Sequence, residues 1–459
     1  MTQAIDNHDL ALQPLLSPSK TKIKTPTKPV YKPQKPWIET PLIESAILSK
    51  KAGCRIFLKL ENLQPGGSFK SRAMASLILH HIHHPSNTHK RLHFFINSGG
   101  NAGLAAVCAA SSLSYPCTVV VPTSTSRLMV DKLCAAGATR VIQYGDTIAA
   151  AGEYMTNSLM QNHGNEGDGE GEKEKKIALH PFDHEAIWEG NSTIIDELAG
   201  QLPPAEDNNE EEDDDDDTLP MDAVICSVGG GGLMNGLIQG VQRHRRSRKR
   251  DIHILAVETD GTQSMNLAIS SRALVTLPKI TSMAVSLACV RVSQRTFEYC
   301  VSPPEGVKIH SAVLSDADAA RGCLRLADDE RILVELACGV CIEAAVGDAS
   351  ALKVKSRKRG RVVDQDEDAL RHDIKKKRLD ASPQLCPSDS GVGSSASSSA
   401  SSDTESDIIL SNQLTSSYLR QMIPDLTPQS RVVIIVCGGS NVTTGMASEW
   451  RDRLANGWI

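Results

Sequence analysis

Aromatic side chains are scarce in this chain: Trp, Tyr and Phe make up 3% of its 459 residues. With Ala, Ser and Gly abundant, that scarcity points to closely packed α/β layers. Long apolar runs are also missing. None reaches the ~18 residues of a membrane span, and the N-terminus lacks the apolar core of a signal peptide. The first 28 residues contain lysines but no arginine and no amphipathic period, which argues against a mitochondrial presequence. Charge of one sign does not dominate: the net charge of −6 gives no general pull towards nucleic acid or membrane. The twelve cysteines form no framework, and Cys108, Cys226, Cys289 and Cys437 sit in apolar runs. They read as reduced, buried thiols in a cytoplasmic protein. His80, His81, His83 and His84 stop at Pro85, and Cys338 with Cys341 is a lone pair. Neither has the second pair that zinc spacing needs.

The chain is long enough for two or three domains, and 40% hydrophobic residues suit a substantial core. Residues 1–28 read as a flexible polar extension. From Pro29 onwards strand and helix patterns alternate, as in parallel sheets covered on both faces. Strands are expected at Arg55 to Leu60, Leu92 to Ile96, Tyr115 to Val121, Thr139 to Tyr144, Ala223 to Cys226 and Arg431 to Val436. Ser126 to Gly137 reads as a helix. Three insertions interrupt the pattern. Gly164 to Lys176 is rich in Gly, Glu and Lys, and about 205–218 carries an acidic run. The longest, about 351–407, begins basic and ends serine-rich. Such segments cannot offset their ordering entropy by burial and are expected to be disordered.

Three strand–turn–helix units carry the chemistry. The strand at Arg55 runs into Gln64-Pro65-Gly66-Gly67-Ser68-Phe69-Lys70, so that Lys70 opens a helix. A lysine held there projects its amine into a cleft, and desolvation keeps that amine nucleophilic. Asn97-Ser98-Gly99-Gly100-Asn101 follows the second strand, and Ser227-Val228-Gly229-Gly230-Gly231-Gly232-Leu233 follows the fifth. Glycine turns that open helices aim backbone N–H groups at anions. A dinucleotide fold is the competing reading of the last turn. Counted from Gly230, however, the sixth position of its fingerprint is Asn235 rather than glycine.

Together these motifs resemble the L-serine dehydratase (serine/threonine ammonia-lyase) family, pyridoxal-phosphate enzymes of the tryptophan-synthase-β-like fold. The resemblance runs from about Lys28 to Trp458, interrupted by the insertions. It implies an α/β protein with two doubly wound, mostly parallel sheets and the cofactor in the cleft between them. The implied division is a large domain at 29–70 and 177–459 and a small domain at 71–176. It further implies that Lys70, beside Phe69, forms the Schiff base with pyridoxal phosphate and then takes the substrate Cα proton. Asn101 would bond the cofactor's 3′ oxygen, Ser98 the substrate carboxylate, and Gly229, Gly230, Gly231, Gly232 and Leu233 the phosphate. Cys437, first in Cys-Gly-Gly-Ser-Asn, would face the pyridine nitrogen, where threonine deaminases, serine racemases and cysteine synthases typically have serine. Glu258, Thr262, Ser264, Leu287 and Cys289 align with a monovalent-cation site, for K+.

The activity implied is conversion of L-serine to pyruvate and ammonia, and of L-threonine to 2-oxobutyrate, by a homodimer. Threonine deaminase and serine racemase remain alternatives. So does a catalytically weak relative that binds partners through its inserted loop. Departures from the family pattern are Gly66 in the lysine motif, Ala288-Cys289 for Gly-Val, and Leu336 for proline before Ala337-Cys338-Gly339.

Overall fold

The computed structural model describes residues 35–161, 174–203, 219–244, 251–348 and 417–458. Two sheets organise them. Across the larger lie, in order, Leu42–Glu44 (β1), Arg55–Lys59 (β2), Arg431–Ile435 (β10), Ala223–Ser227 (β7), Ile252–Thr259 (β8) and Val307–Leu314 (β9). Only the short edge strand β1 is antiparallel to its neighbour. The smaller sheet is all parallel: Arg140–Gln143 (β5), Cys117–Val121 (β4), Leu92–Ile96 (β3) and Lys175–Leu179 (β6).

The helices in chain order are Ala46–Ala52 (α1), Lys70–His83 (α2), Asn101–Ser112 (α3), Arg127–Ala135 (α4), Ile148–Tyr154 (α5) and Glu185–Gln201 (α6). They continue with Gly232–His244 (α7), Ser264–Ser271 (α8), Gln294–Val301 (α9), Asp316–Arg325 (α10), Leu336–Val346 (α11), Tyr418–Met422 (α12) and Thr444–Ala455 (α13). Every residue of β4, β7 and β10 is buried. Their largely apolar sequence, broken by Thr118, Ser227 and Arg431, follows from that, because a parallel strand covered on both faces has no solvent side to show. One core spans the six-stranded sheet and a second fills the space between α2, α3 and the four-stranded sheet.

The chain leaves the large sheet after β2, builds the small sheet from α2 to β6, and returns through α6 to β7. At these two crossings α2 and α6 pack on each other. The strands expected from the sequence appear with ends within two residues. One element was hidden. β6 begins inside the segment read as an insertion, Gly164 to Lys176, and runs across the domain boundary expected at 176. Its leading lysines mask an apolar strand because each bonds sideways: Lys175 Nζ to Asn87 Oδ1 at 2.5 Å and Lys176 Nζ to the Leu159 carbonyl at 2.7 Å. The extension at 1–28 and the insertions at 205–218 and 351–407 lie outside the described residues. Among the described residues no helix is long and apolar enough to cross a membrane.

Candidate active site

The turn after β2 is fastened to the loop after β10. Phe69 N–H donates to the Cys437 carbonyl at 3.3 Å, and Gly439 N–H to the Gly67 carbonyl at 2.9 Å. Ser68 and Gly438 pair as an isolated bridge. These bonds aim the first residue of α2 between the sheets. The Lys70 amine lies 5.2 Å from the centre of the Phe69 ring and donates to the Pro181 carbonyl at 2.8 Å. Desolvation is the dominant influence on it and holds its pKa down at about 8. Competitive acetylation of the cofactor-free protein is therefore expected to modify Lys70 with a midpoint near pH 8, against about 10.4 for an ordinary lysine. A midpoint above 10 by peptide mass spectrometry would contradict this placement.

Asn101 opens α3 and reaches across the cleft. Its Oδ1 accepts the Ser440 N–H at 2.9 Å, while Nδ2 donates to Ser286 Oγ at 3.2 Å and Glu335 Oε1 at 3.1 Å. Glu335 is buried and also accepts the Asn441 N–H at 2.8 Å and the Ser286 hydroxyl. Lys132 of α4 donates to the Ser440 carbonyl. The Gly438–Asn441 loop thus receives hydrogen bonds from both sheets. Ser98 lies in the loop before α3, and its hydroxyl has no hydrogen-bond partner among the described residues.

Cys437 lies two residues beyond β10, one of the two central strands of the large sheet. Its thiol is buried, 3.6 Å from Ser227 Oγ, and burial pushes its pKa up to about 11, so it stays protonated. The glycine turn at Gly229–Gly232 is held from two sides. Ser293 N–H donates to the Gly230 carbonyl at 3.1 Å, and the Phe182 ring occupies the space a Gly230 side chain would need. Gly231 adopts φ +92°, a conformation that disfavours any side chain. Leu233, next along α7, is buried.

The family model described as pyridoxal-phosphate dependent enzyme matches residues 34–363. The chain belongs to this family. A Saccharomyces cerevisiae L-serine dehydratase is 42% identical over 306 residues, covering 66% of this chain and 84% of that protein. A Mus musculus L-serine dehydratase/L-threonine deaminase is 35% identical over 307 residues, covering 67% and 82%. The solved structure of a fungal L-serine ammonia-lyase from Rhizomucor miehei superimposes with a TM-score of 0.64 at 25% identity, covering 92% of this chain and 99% of that one.

The residues present fit the family's cofactor. The Ser68 hydroxyl, two residues before Lys70, is buried without a partner. The Lys70 amine bonds only a backbone carbonyl, and a side chain on Gly100 would meet open space. Of the candidate cation residues, Leu287 packs against the glycine turn, its Cα 3.3 Å from where a side chain on Gly229 would begin. Glu258 accepts the Met265 and Asn266 N–H groups at 2.8 Å each, yet burial raises its carboxyl to about 7. Ser264 Oγ is buried and unpartnered. Thr262 Oγ1 donates to the Thr259 carbonyl at 3.1 Å, Leu287 is buried in a 3₁₀ turn, and Cys289 Sγ lies 2.9 Å from the Arg291 carbonyl.

Sequence reasoning missed Glu335, Ser286 and the Pro181-Phe182 loop. The loop carried a usable signal, since His180-Pro181-Phe182-Asp183-His184 follows a strand and caps α6. Glu335 offered none, because a single glutamate beside apolar residues reads as an ordinary helix start.

Proposed function

We propose that this protein is an L-serine ammonia-lyase, converting L-serine to pyruvate and ammonia and L-threonine to 2-oxobutyrate and ammonia. It acts in the cytoplasm, as a homodimer by family resemblance. The observation that carries the reading is Cys437: a neutral thiol, backed by a serine hydroxyl, in the loop just after β10.

Pyridoxal phosphate, when bound, supplies the electron sink that makes the substrate Cα–H bond acidic. The N–H groups of Gly229 to Gly232 and the start of α7 would hold its phosphate, since a helix N-terminus with free amides favours an anion. Lys70 Nζ would hold the cofactor and would take the substrate Cα proton. A lysine with a value near 8 is a competent base at neutral pH because a useful fraction is uncharged. Ser98 would donate to the substrate carboxylate, and Asn101 would orient the ring oxygen through Nδ2, exchanging its bond to Ser286 Oγ or Glu335 Oε1 to do so. At the far end of the ring, Cys437 is a weak donor without charge. It would not hold a proton on the ring nitrogen as a carboxylate would, which would favour loss of the β-hydroxyl as water over reprotonation on the opposite face. Water returns when the released product is hydrolysed, so serine yields pyruvate and ammonia with no net water.

A monovalent cation, K+ by resemblance, would sit with Glu258, Thr262, Ser264, Leu287 and Cys289. The unpartnered Ser264 hydroxyl and the raised Glu258 carboxyl support that assignment, since a nearby cation would bring the carboxyl back down.

The test is a product assay with L-serine, L-threonine and D-serine in potassium buffer. Pyruvate from L-serine is expected to exceed D-serine by about tenfold or more, a difference of ~1.4 kcal/mol in barrier. Exchange of potassium for tetramethylammonium should slow it several-fold. D-serine formed as fast as pyruvate would make the protein a racemase. Bound cofactor with no keto acid from any substrate would favour a binding role.

A further inference from the structure

Beneath the first turn of α2 lies a cluster of four charges, three fully buried and Glu197 partly exposed, that the chemistry above does not use. Arg72 is fully buried. Its Nε and Nη2 donate to the two oxygens of Glu61 at 2.8 Å each. Its Nη1 and Nη2 donate to the two oxygens of Glu197 at 2.5 and 2.7 Å, and Nη1 also to Thr193 Oγ1 at 3.0 Å. Lys59, equally buried, donates to Glu197 Oε2 at 2.5 Å, Gln201 Oε1 at 2.7 Å and the Thr40 carbonyl at 2.7 Å. Glu61 further accepts from Thr40 Oγ1 at 2.6 Å and Gln64 Nε2 at 3.2 Å.

Two cations balance two anions, and they come from β2, the turn behind it, α2 and α6. These are the segments by which the chain passes from one sheet to the other and back. We propose that Arg72 is a positioning residue for Lys70, fixing the rotation of α2 at this crossing. The two residues lie two positions apart on one helix, about 200° around its axis. Clamping Arg72 against the crossing therefore turns Lys70 towards the cleft. A planar guanidinium held by two bidentate carboxylates has one orientation, whereas an ammonium swivels. Cohesion alone does not call for such a cluster, because well-packed apolar residues often serve a buried site as well as an ion pair. The same α6 follows the loop whose Pro181 carbonyl holds the Lys70 amine, so Glu197 links the clamp to that contact.

This inference rests on the reading of Lys70 as the cofactor-bearing lysine, and the experiment separates the two. Arg72→Lys holoenzyme is reduced with borohydride and the pyridoxyl peptide located by mass spectrometry. Turnover of L-serine is expressed per trapped cofactor, and acetylation of Lys70 is measured in the cofactor-free protein. The expected result is a pyridoxyl group on Lys70, kcat per cofactor lower by about tenfold, KM within about twofold, and an acetylation rate changed by about threefold or more. A role in stability alone would lower yield and melting temperature but leave kcat per cofactor and acetylation as they were, which overturns the inference. A pyridoxyl group on another lysine overturns the reading of Lys70 itself. If Arg72→Lys does not fold, Glu197→Gln replaces it, and unchanged values of both measurements there also overturn the inference.

Discussion

Lys70→Ala is expected to abolish covalent capture of pyridoxal phosphate and to lower L-serine turnover by about 10⁴-fold. That is the upper range for losing one proton-transfer group, and the covalent attachment disappears with it. Among the described residues, the lysines Lys59 and Lys132 are not placed to substitute. Lys59 is committed to Glu197, Gln201 and the Thr40 carbonyl, and Lys132 to the Ser440 carbonyl. The fold should survive, and the sign of the stability change can be worked out. The amine's folded pKa, about 8, lies below its unfolded value near 10.4, so the native state binds its proton less readily. The cost of holding the charge is present below about pH 8 and vanishes as pH rises through the unfolded value. Removing the lysine should leave the melting temperature at pH 7 equal or higher, with the difference closing by pH 10. Borohydride trapping followed by peptide mass spectrometry reads the first effect and thermal melts at the two pH values the second. A pyridoxyl group still present in Lys70→Ala would refute the assignment.

Gly231→Ala is expected to weaken cofactor binding by about 10- to 100-fold, since strained backbone at a functional turn is worth ~1–3 kcal/mol. Two separate penalties apply. The backbone at Gly231 has φ +92°, which an L side chain adopts only under strain. An added Cβ would also overlap the Thr296 hydroxyl and lie 2.7 Å from Thr296 Cβ. Thr296 cannot easily yield, because its hydroxyl donates to Asn235 Oδ1 at 3.1 Å and to the Gly230 carbonyl at 3.5 Å. The turn itself must therefore move. Gly231→Ala with Thr296→Ala removes the overlap with the hydroxyl but leaves the 2.7 Å approach to the Cβ of residue 296 and the backbone strain, so it should recover only a small part of the affinity. Absorbance titration of the cofactor-free variants measures both. Affinity equal to that of the parent would mean that this turn does not hold the phosphate.

Much of this arrangement could be read from the sequence for one physical reason: strand, glycine turn and helix are local, and each leaves its mark within about fifteen consecutive residues. The turns that carry Lys70, Asn101 and Gly229–Gly232 are legible in that way, while the roles given to those residues come from the family resemblance. Cys437 needed family resemblance, since a buried cysteine at a strand end is otherwise unremarked packing. What stayed hidden depends on partners distant in the chain. Glu335 has meaning only beside Asn101 and Asn441, and Arg72 only beside Glu61 and Glu197. β1 is three residues long, too short for any period to show, and its place comes from pairing with β2. β6 was obscured by lysines whose charge is taken up by neighbours on both sides of the strand.

The strand order has a consequence for how the molecule comes into being. β10 lies between β2 and β7, with Arg431 paired to Arg55 and Val432 to Ala223. During synthesis β2 leaves the ribosome with only the short antiparallel β1 beside it, and its one parallel partner is the last core strand to follow. The four-stranded sheet has no such dependence, because all of its strands lie between Leu92 and Leu179. It can assemble first, and the wide sequence separation of the other pairing makes completion of the large sheet the slow event. Cys437, just after β10, and the Ser440 amide bonded by Asn101 arrive with that strand. A nascent chain therefore exposes Lys70 long before it has a cofactor pocket, and capture of pyridoxal phosphate comes only after the final strand has threaded into the middle of the sheet.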